Sequence, residues 1–365
     1  MDQTEALIIE TIDRHREEIL EFARDIYSHA ELGYKEFQTS GKFVKKMEQL
    51  GLRTEKGFAI TGVKAYLNED KKENASLALL GELDALRIPE HAFANPETNA
   101  AHCCGHHAQM AGVFGAALAL TVPEIAEKLD GQVVFFATPA EEYGEIEFKN
   151  RLREQGKIRY GGGKCELLRI GAFDDIDLCL THHIRPGNEI LVGSGTGNGF
   201  VSKVIRVLGK ASHAAGAPEK GVNALSAASL GLQALGLNRE TFRDEDCVRV
   251  HPIITKGGNL VNVIPDEVVV ETLVRGKTIE AFTDAAKKTD RSFKAGAIAM
   301  GAKVEISTLP GYLPTLAEEA LPELKHAAEI SASGIPVIEA SGHAGGSTDV
   351  GDVQHLMPVY TFNTG

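Results

Sequence analysis

Residues 133–142 read Val-Val-Phe-Phe-Ala-Thr-Pro-Ala-Glu-Glu, five apolar side chains in a row ended by a proline and two acids. A run of this length, rich in β-branched and aromatic residues, predicts a strand covered on both faces. Two more short runs have the same form. Residues 77–80 (Leu-Ala-Leu-Leu) lead into Gly81-Glu82-Leu83-Asp84, and residues 178–180 (Leu-Cys-Leu) lead into Thr181-His182-His183. Around them the period changes to that of a helix. Ile19, Phe22, Ala23, Ile26 and Tyr27 form one apolar face, and Phe43, Val44, Met47 and Leu50 another, with Gly51 at the expected C-terminal cap. Such alternation predicts an α/β sheet with helices on both sides, where ligands gather beyond the carboxyl ends of the strands. Polar clusters follow three of these strands in turn, so a site at one sheet edge is expected.

Near residue 200 the pattern changes. Residues 201–208 alternate, 221–236 are small and helix-like, and 248–254 and 267–274 read as strands. Residues 279–300 are helical and 303–307 form a last strand. The order β-α-β-β-α-β is the ferredoxin-like arrangement. The expected organisation is therefore one domain over 1–197 and 312–365, interrupted by a second over 198–311. A helix over 318–330 and a strand over 359–362 complete the first.

Composition narrows the function. The 365 residues carry 38 basic and 51 acidic side chains, a net charge of −13, with 43% apolar residues. An acidic chain without a basic stretch argues against a nucleic-acid partner. The longest nearly apolar run, 110–123, is too short to span a bilayer. The first 27 residues mix charges, unlike a secretory signal. Five cysteines are few and odd in number, which points to a reducing, cytoplasmic setting.

Histidine carries the chemistry. Five of the thirteen fall in two patches, His102/His106/His107 and His182/His183, with Cys103 and Cys104 in the first and Glu141-Glu142 between. Thiolate, imidazole and carboxylate together are the donors of zinc and neighbouring divalent ions. In Cys104-Gly105-His106 the glycine permits a tight turn. A helix starting near Ala108 would favour the thiolate with its positive end. Taken singly, each cluster has an ordinary reading: a surface histidine pair, a solvated acidic loop end. Their coincidence after three strands favours a catalytic metal site, in which one glutamate binds metal and the other is the general base for metal-bound hydroxide. A thiol hydrolase built on Cys104 and His106 is the rival use of these residues.

The residues also match a known pattern. His29-Ala-Glu-Leu-Gly-Tyr-Lys-Glu36, Gly81-Glu-Leu-Asp-Ala-Leu86, Cys104-Gly-His-His107, Pro139-Ala-Glu-Glu142 and His183-Ile-Arg-Pro-Gly187 occur in that order. Ala211-Ser-His-Ala214, Gly257-Gly-Asn-Leu-Val-Asn-Val-Ile-Pro-Asp266 and Gly346-Ser-Thr-Asp-Val-Gly-Asp352 follow. The chain resembles the M20 metallopeptidases, in the amidohydrolase branch of aminoacylases, indole-acetyl-amino-acid hydrolases and aminobenzoyl-glutamate hydrolases. The resemblance implies a zinc-peptidase-like α/β domain with a mixed central sheet flanked by helices, plus a ferredoxin-like lid that forms a homodimer. It implies two divalent metal ions per subunit (zinc, manganese, cobalt or nickel) held by Cys104, His106, Glu142 and His183. Glu141 is then the base and Asp84 orients a ligand. His213 reaches the partner's site to stabilise the oxyanion, and Asn262 and Arg275 bind the substrate's carbonyl and carboxylate. The implied substrates are N-acyl or aryl-acyl amino acids, aminobenzoyl-glutamate-like compounds or dipeptides.

Two features depart from the pattern. His107 stands where the branch usually has an aspartate. Members of the branch also continue past the segment matching 359–365 through a further histidine ligand and a helix; His343 and His355 lie outside that matching position. These departures support, as the alternative, an impaired binding protein or inactive dimer that retains the fold.

Overall fold

The computed structural model describes residues 1–332 and 334–365. The strand Gln132–Thr138 lies third from one edge of an eight-stranded sheet, paired in parallel with Ser76–Glu82, which pairs in parallel with Leu178–Ile184. Val359–Thr364 extends this parallel block. The antiparallel hairpin Arg53–Phe58 and Gly62–Leu67 closes one side, and Ile190–Val192 with Val337–Glu339 closes the other. The sheet is mixed, as expected.

Alternation along the strands explains why they read as continuously apolar. Val133, Phe135 and Ala137 enter one buried cluster with Phe22, Ile26 and Phe114, while Val134 and Phe136 enter another with Leu167 and Phe173. Both faces are core, so neither can carry polar residues. The first cluster is closed by the helices Arg16–Ser28, Phe37–Gln49 and His106–Leu120. Gly51 takes the left-handed conformation after the second of these, at φ +78°, as its capping position requires.

The chain divides into two compact units, one of residues 1–196, 316–343 and 348–365 and one of residues 197–315 and 344–347. The second runs slightly past 198–311 for a visible reason. Tyr312 packs its ring on Phe200 at 4.7 Å and accepts the Phe200 N–H at 2.9 Å, and Arg275 donates to Ser347 Oγ at 2.7 Å. In this unit Gly199–Leu208 lies between Glu267–Gly276 and Lys303–Pro310, all antiparallel. The strand expected over 248–254 is broken at Pro252 into Arg249–Val250 and Ile253–Lys256, both paired with Glu267–Gly276. Proline has no N–H to offer the ladder. In the first unit, the helix expected from 318 begins at Pro322, and the last strand continues to Thr364.

The helices Ala224–Asn238 and Ile279–Ala299 cover the second sheet and approach so closely that a Cβ on Gly296 would meet the Ala227 carbonyl and the Gly231 backbone nitrogen. Alanine is worth about 1 kcal/mol more than glycine in a helix, yet here backbone on the facing helix cannot yield. Gly296→Ala is therefore expected to lower stability by roughly 1–3 kcal/mol through overpacking. An unchanged or raised thermal midpoint would contradict the close crossing.

Candidate metal centre

Because Gln132–Thr138, Ser76–Glu82 and Leu178–Ile184 are adjacent and parallel, their carboxyl ends share one edge. Glu82 is opposite Thr138, three residues before Glu141, and His183 is the next-to-last residue of the third strand. Gly105, at φ +86°, opens the helix His106–Leu120 at this edge. The helix starts two residues earlier than expected, which puts His106 in its first turn. A Cβ at 105 would run into the Ile184 side chain.

The Glu141–Glu142 turn is held from several sides. Ala140 has φ +50°, a conformation that costs an alanine about 1–3 kcal/mol and persists only when neighbours enforce it. Here Glu36 accepts the Ala140 N–H at 2.8 Å. Asp84 accepts the N–H of Glu141 at 3.1 Å and of Glu142 at 2.9 Å. Lys149, fully buried, donates to the Glu142 carbonyl at 2.6 Å. Burial and the nearby Asp84 push the Glu36 carboxyl up to about 7.

His106 is buried, and its Nδ1 donates to the Asp84 carbonyl at 2.8 Å. That bond turns Nε2 toward Glu82 Oε2 at 3.0 Å and Glu141 Oε2 at 4.0 Å. Donor atoms of Cys104, His106 and His183 lie within 4.8 Å of one another, as do those of Glu82, His106 and Glu141. Glu142 stands beside Cys104, outside both groups. Among the described residues, these are the groups of three or more such donors close enough for one ion.

Three observations test the fit to a divalent cation. The donor set is mixed sulfur, nitrogen and oxygen, the chemistry of zinc and its neighbours. Glu142 Oε1 is buried without a hydrogen-bond partner, and Glu82 Oε2 and His106 Nε2 are buried with only each other at 3.0 Å, an arrangement that a bound cation would satisfy. Third, acids crowd together: burial first, then Glu82 and Glu142, pushes the Glu141 carboxyl well up, as expected for carboxylates sharing a site. The residues fit a metal.

Cys104 corrects one expectation. Its hydrogen bond with His106 lowers the thiol, but burial and Glu142 outweigh it and bring it up to about 11. The helix N-terminus alone therefore does not hold a thiolate, and a cation at the sulfur would reverse the balance. The same shift counts against Cys104 as an unaided nucleophile.

The remaining candidates are dispersed. His102 is buried, with its ring 5.5 Å from that of His107, which packs on Tyr27 at 4.8 Å. Burial brings His102 down to about 3. His182 stacks on Phe362, and His343 bonds Thr196. Neither these nor His355 enters a donor group. In the second unit His213 and Asn262 are exposed, on two segments joined by an antiparallel bridge, with the Ala214 N–H donating to the Asn262 carbonyl at 2.9 Å. Arg275 is at the opposite end of that sheet, eight residues along the strand from Glu267, roughly 27 Å.

A family profile, Peptidase family M20/M25/M40, matches residues 78–365. The chain belongs to that family, and with it to the hydrolases of amide bonds. It is 28% identical over 359 residues to the Xaa-Arg dipeptidase of Mus musculus, covering 96% of this chain and 77% of the relative. It is 30% identical over 272 residues to an IAA-amino acid hydrolase of Arabidopsis thaliana, covering 73% and 56%. The chain thus spans little more than half of the plant relative. A dinuclear metal-binding peptidase of family M20 from Bacillus subtilis shares the fold with TM-score 0.63 at 23% identity, over 97% of this chain and 89% of that one.

Sequence reading left several members of the site without a role. Gln109 accepts the Glu82 N–H at 2.8 Å and donates to the His182 carbonyl at 2.7 Å, tying two strand ends together. Lys164 is fully buried between Glu82 and Asp349, at 2.5 and 2.7 Å. A glutamine on an otherwise apolar helix and a lysine after three glycines are faint signals; their partners lie 27 to 185 residues away. Asp84→Asn removes the charge that gathers the N–H groups of Glu141 and Glu142, while leaving the backbone carbonyl that holds His106. It is expected to weaken binding of a divalent metal by about 10–100-fold, read by competition with a fluorescent chelator. Wild-type affinity in a folded Asp84→Asn protein would contradict this role.

Proposed function

We propose that the protein is a binuclear metal-dependent amidohydrolase that releases amino acids from N-acyl, aryl-acyl or dipeptide substrates. The observation that carries this reading is the convergence of Cys104, His106 and His183 with Glu82 and Glu141 at one sheet edge. The two relatives named above, a dipeptidase and an IAA-amino acid hydrolase, support amide substrates with an amino acid on one side. In this proposal Cys104, His106, Glu142 and His183 hold two divalent ions, zinc, manganese, cobalt or nickel. Bound there, the ions supply Lewis-acid polarisation of the scissile carbonyl and acidify water.

The chain's own residues do the rest. Glu141 has an elevated proton affinity from burial and its acidic neighbours, as a general base working near neutrality needs. It takes the proton of the attacking water and returns it to the leaving amine. Asp84 keeps the Glu141–Glu142 turn in place through two N–H groups. His213 stabilises the oxyanion, Asn262 binds the carbonyl, and the Arg275 guanidinium receives the substrate carboxylate as a fork. Since His213 and Asn262 sit at one end of their sheet and Arg275 at the other, they do not serve one small substrate within a subunit. This supports a homodimer through residues 198–311, with His213 and Asn262 of each subunit reaching the other's centre.

Glu141→Gln is expected to lower kcat by about 10²–10⁴ while retaining bound metal, assayed by amino-acid release from acyl-amino acids. Turnover at the wild-type rate would remove Glu141 from the base role. Mixing Glu141→Gln with His213→Ala protein is expected to restore activity lacking in either alone, since each mixed dimer has one intact site. No recovery from mixed dimers, verified by differential tagging, would contradict the exchange of His213.

A further inference from the structure

We infer that Glu82 is itself a metal-binding carboxylate of this centre, presented to it by a buried Lys164–Asp349 pair. The inference rests on the proposal that the centre holds divalent metal. Glu82 ends the Ser76–Glu82 strand and is 2% exposed. Its two oxygens have different surroundings. Oε1 accepts from Lys164 Nζ at 2.5 Å. Oε2 is buried, and its one close polar neighbour is His106 Nε2 at 3.0 Å. Glu82 Oε2 and His106 Nε2, 3.0 Å apart, are close enough for one cation about 2 Å from each, with a Glu141 oxygen within 4.8 Å of both.

A carboxylate that served only an internal salt bridge would have both oxygens satisfied, because a half-satisfied buried charge is the costly arrangement. Here Lys164 satisfies one oxygen, and the other has only the ring nitrogen of His106, a side chain the centre itself needs as a ligand. Lys164 is held rigidly for the task. Its ammonium donates to Asp349 Oδ1 at 2.7 Å and its backbone N–H to Asp349 Oδ2 at 2.7 Å. The Glu82 backbone is fixed in turn by Gln109. Lys164 is thus a positioning residue: it spends one side of Glu82 and leaves the other to the centre.

Three measurements test this on the full chain. In a zinc-loaded crystal of the wild type, Glu82 Oε2 is expected within about 2.0–2.2 Å of an ion. In zinc titrations against a competing chelator, Glu82→Gln is expected to weaken one of the binding events by about 10–100-fold. In cobalt-loaded protein, Glu82→Gln and Lys164→Met are both expected to shift the visible spectrum, which a distant packing role would not move. Glu82 beyond coordinating distance in the crystal overturns the inference, and decides the matter even where a variant fails to fold. A folded Glu82→Gln protein with wild-type zinc affinity and cobalt spectrum overturns it too. If the wild type binds no divalent ion, the metal reading itself fails and takes this inference with it. If the wild type binds ions and Glu82 is not engaged, only this inference fails.

Discussion

Three parallel strands that stop at one edge force their following residues into a common space, and acids and histidines are what follow them here. Glu82, the Glu141–Glu142 turn and His183 meet because Gln132–Thr138, Ser76–Glu82 and Leu178–Ile184 are neighbours in register. Cys104 and His106 enter from the start of a helix whose first residue follows a glycine at φ +86°. Everything else at the centre keeps these groups from relaxing apart. Asp84 is the most connected of them, holding His106 through its carbonyl and the glutamate turn through its carboxylate.

The arrangement concentrates negative charge in a buried place. Glu36, Glu82, Asp84, Glu141 and Asp349 are all buried, with Glu142 half-buried beside them. Lys149 and Lys164 offset part of this, and the backbone N–H groups of residues 140–142 offset more. Burial still pushes Glu36 and Asp349 up, each to about 7, and Glu141 well up. Glu82 goes the other way: burial raises it, but Lys164 and then His106 hold it well below the usual range. Such divergent pressure on neighbouring carboxyls marks functional sites more often than structural ones.

Much of this was legible in the sequence, for local reasons. The buried strands announced themselves as unbroken apolar runs, and Gly51 and Gly105 marked the turn conformations they adopt. Cys104, His106, His183 and Glu141 were readable because they follow predicted strands or open a helix. What stayed hidden depends on distant pairing. Lys164 reads as an ordinary helix lysine until the sheet brings Glu82 and Asp349 against it from 82 and 185 residues away. Pro252 divides a strand that its apolar neighbours disguise as one. The resemblance groups Asn262 and Arg275 on one substrate, and only the antiparallel register of Glu267–Gly276 reveals that they belong to opposite ends of their sheet. Cys104 looked like a ready thiolate because local cues omit Glu142, which the fold delivers.

The central claim is that sulfur, nitrogen and oxygen from separate stretches of chain share bound metal. X-ray absorption at the zinc edge of the zinc-loaded protein tests it directly. The predicted spectrum contains a sulfur shell at about 2.3 Å together with nitrogen and oxygen near 2.0–2.2 Å, with the sulfur shell lost in Cys104→Ser. A wild-type spectrum of oxygen and nitrogen alone, unchanged by that substitution, would contradict the account.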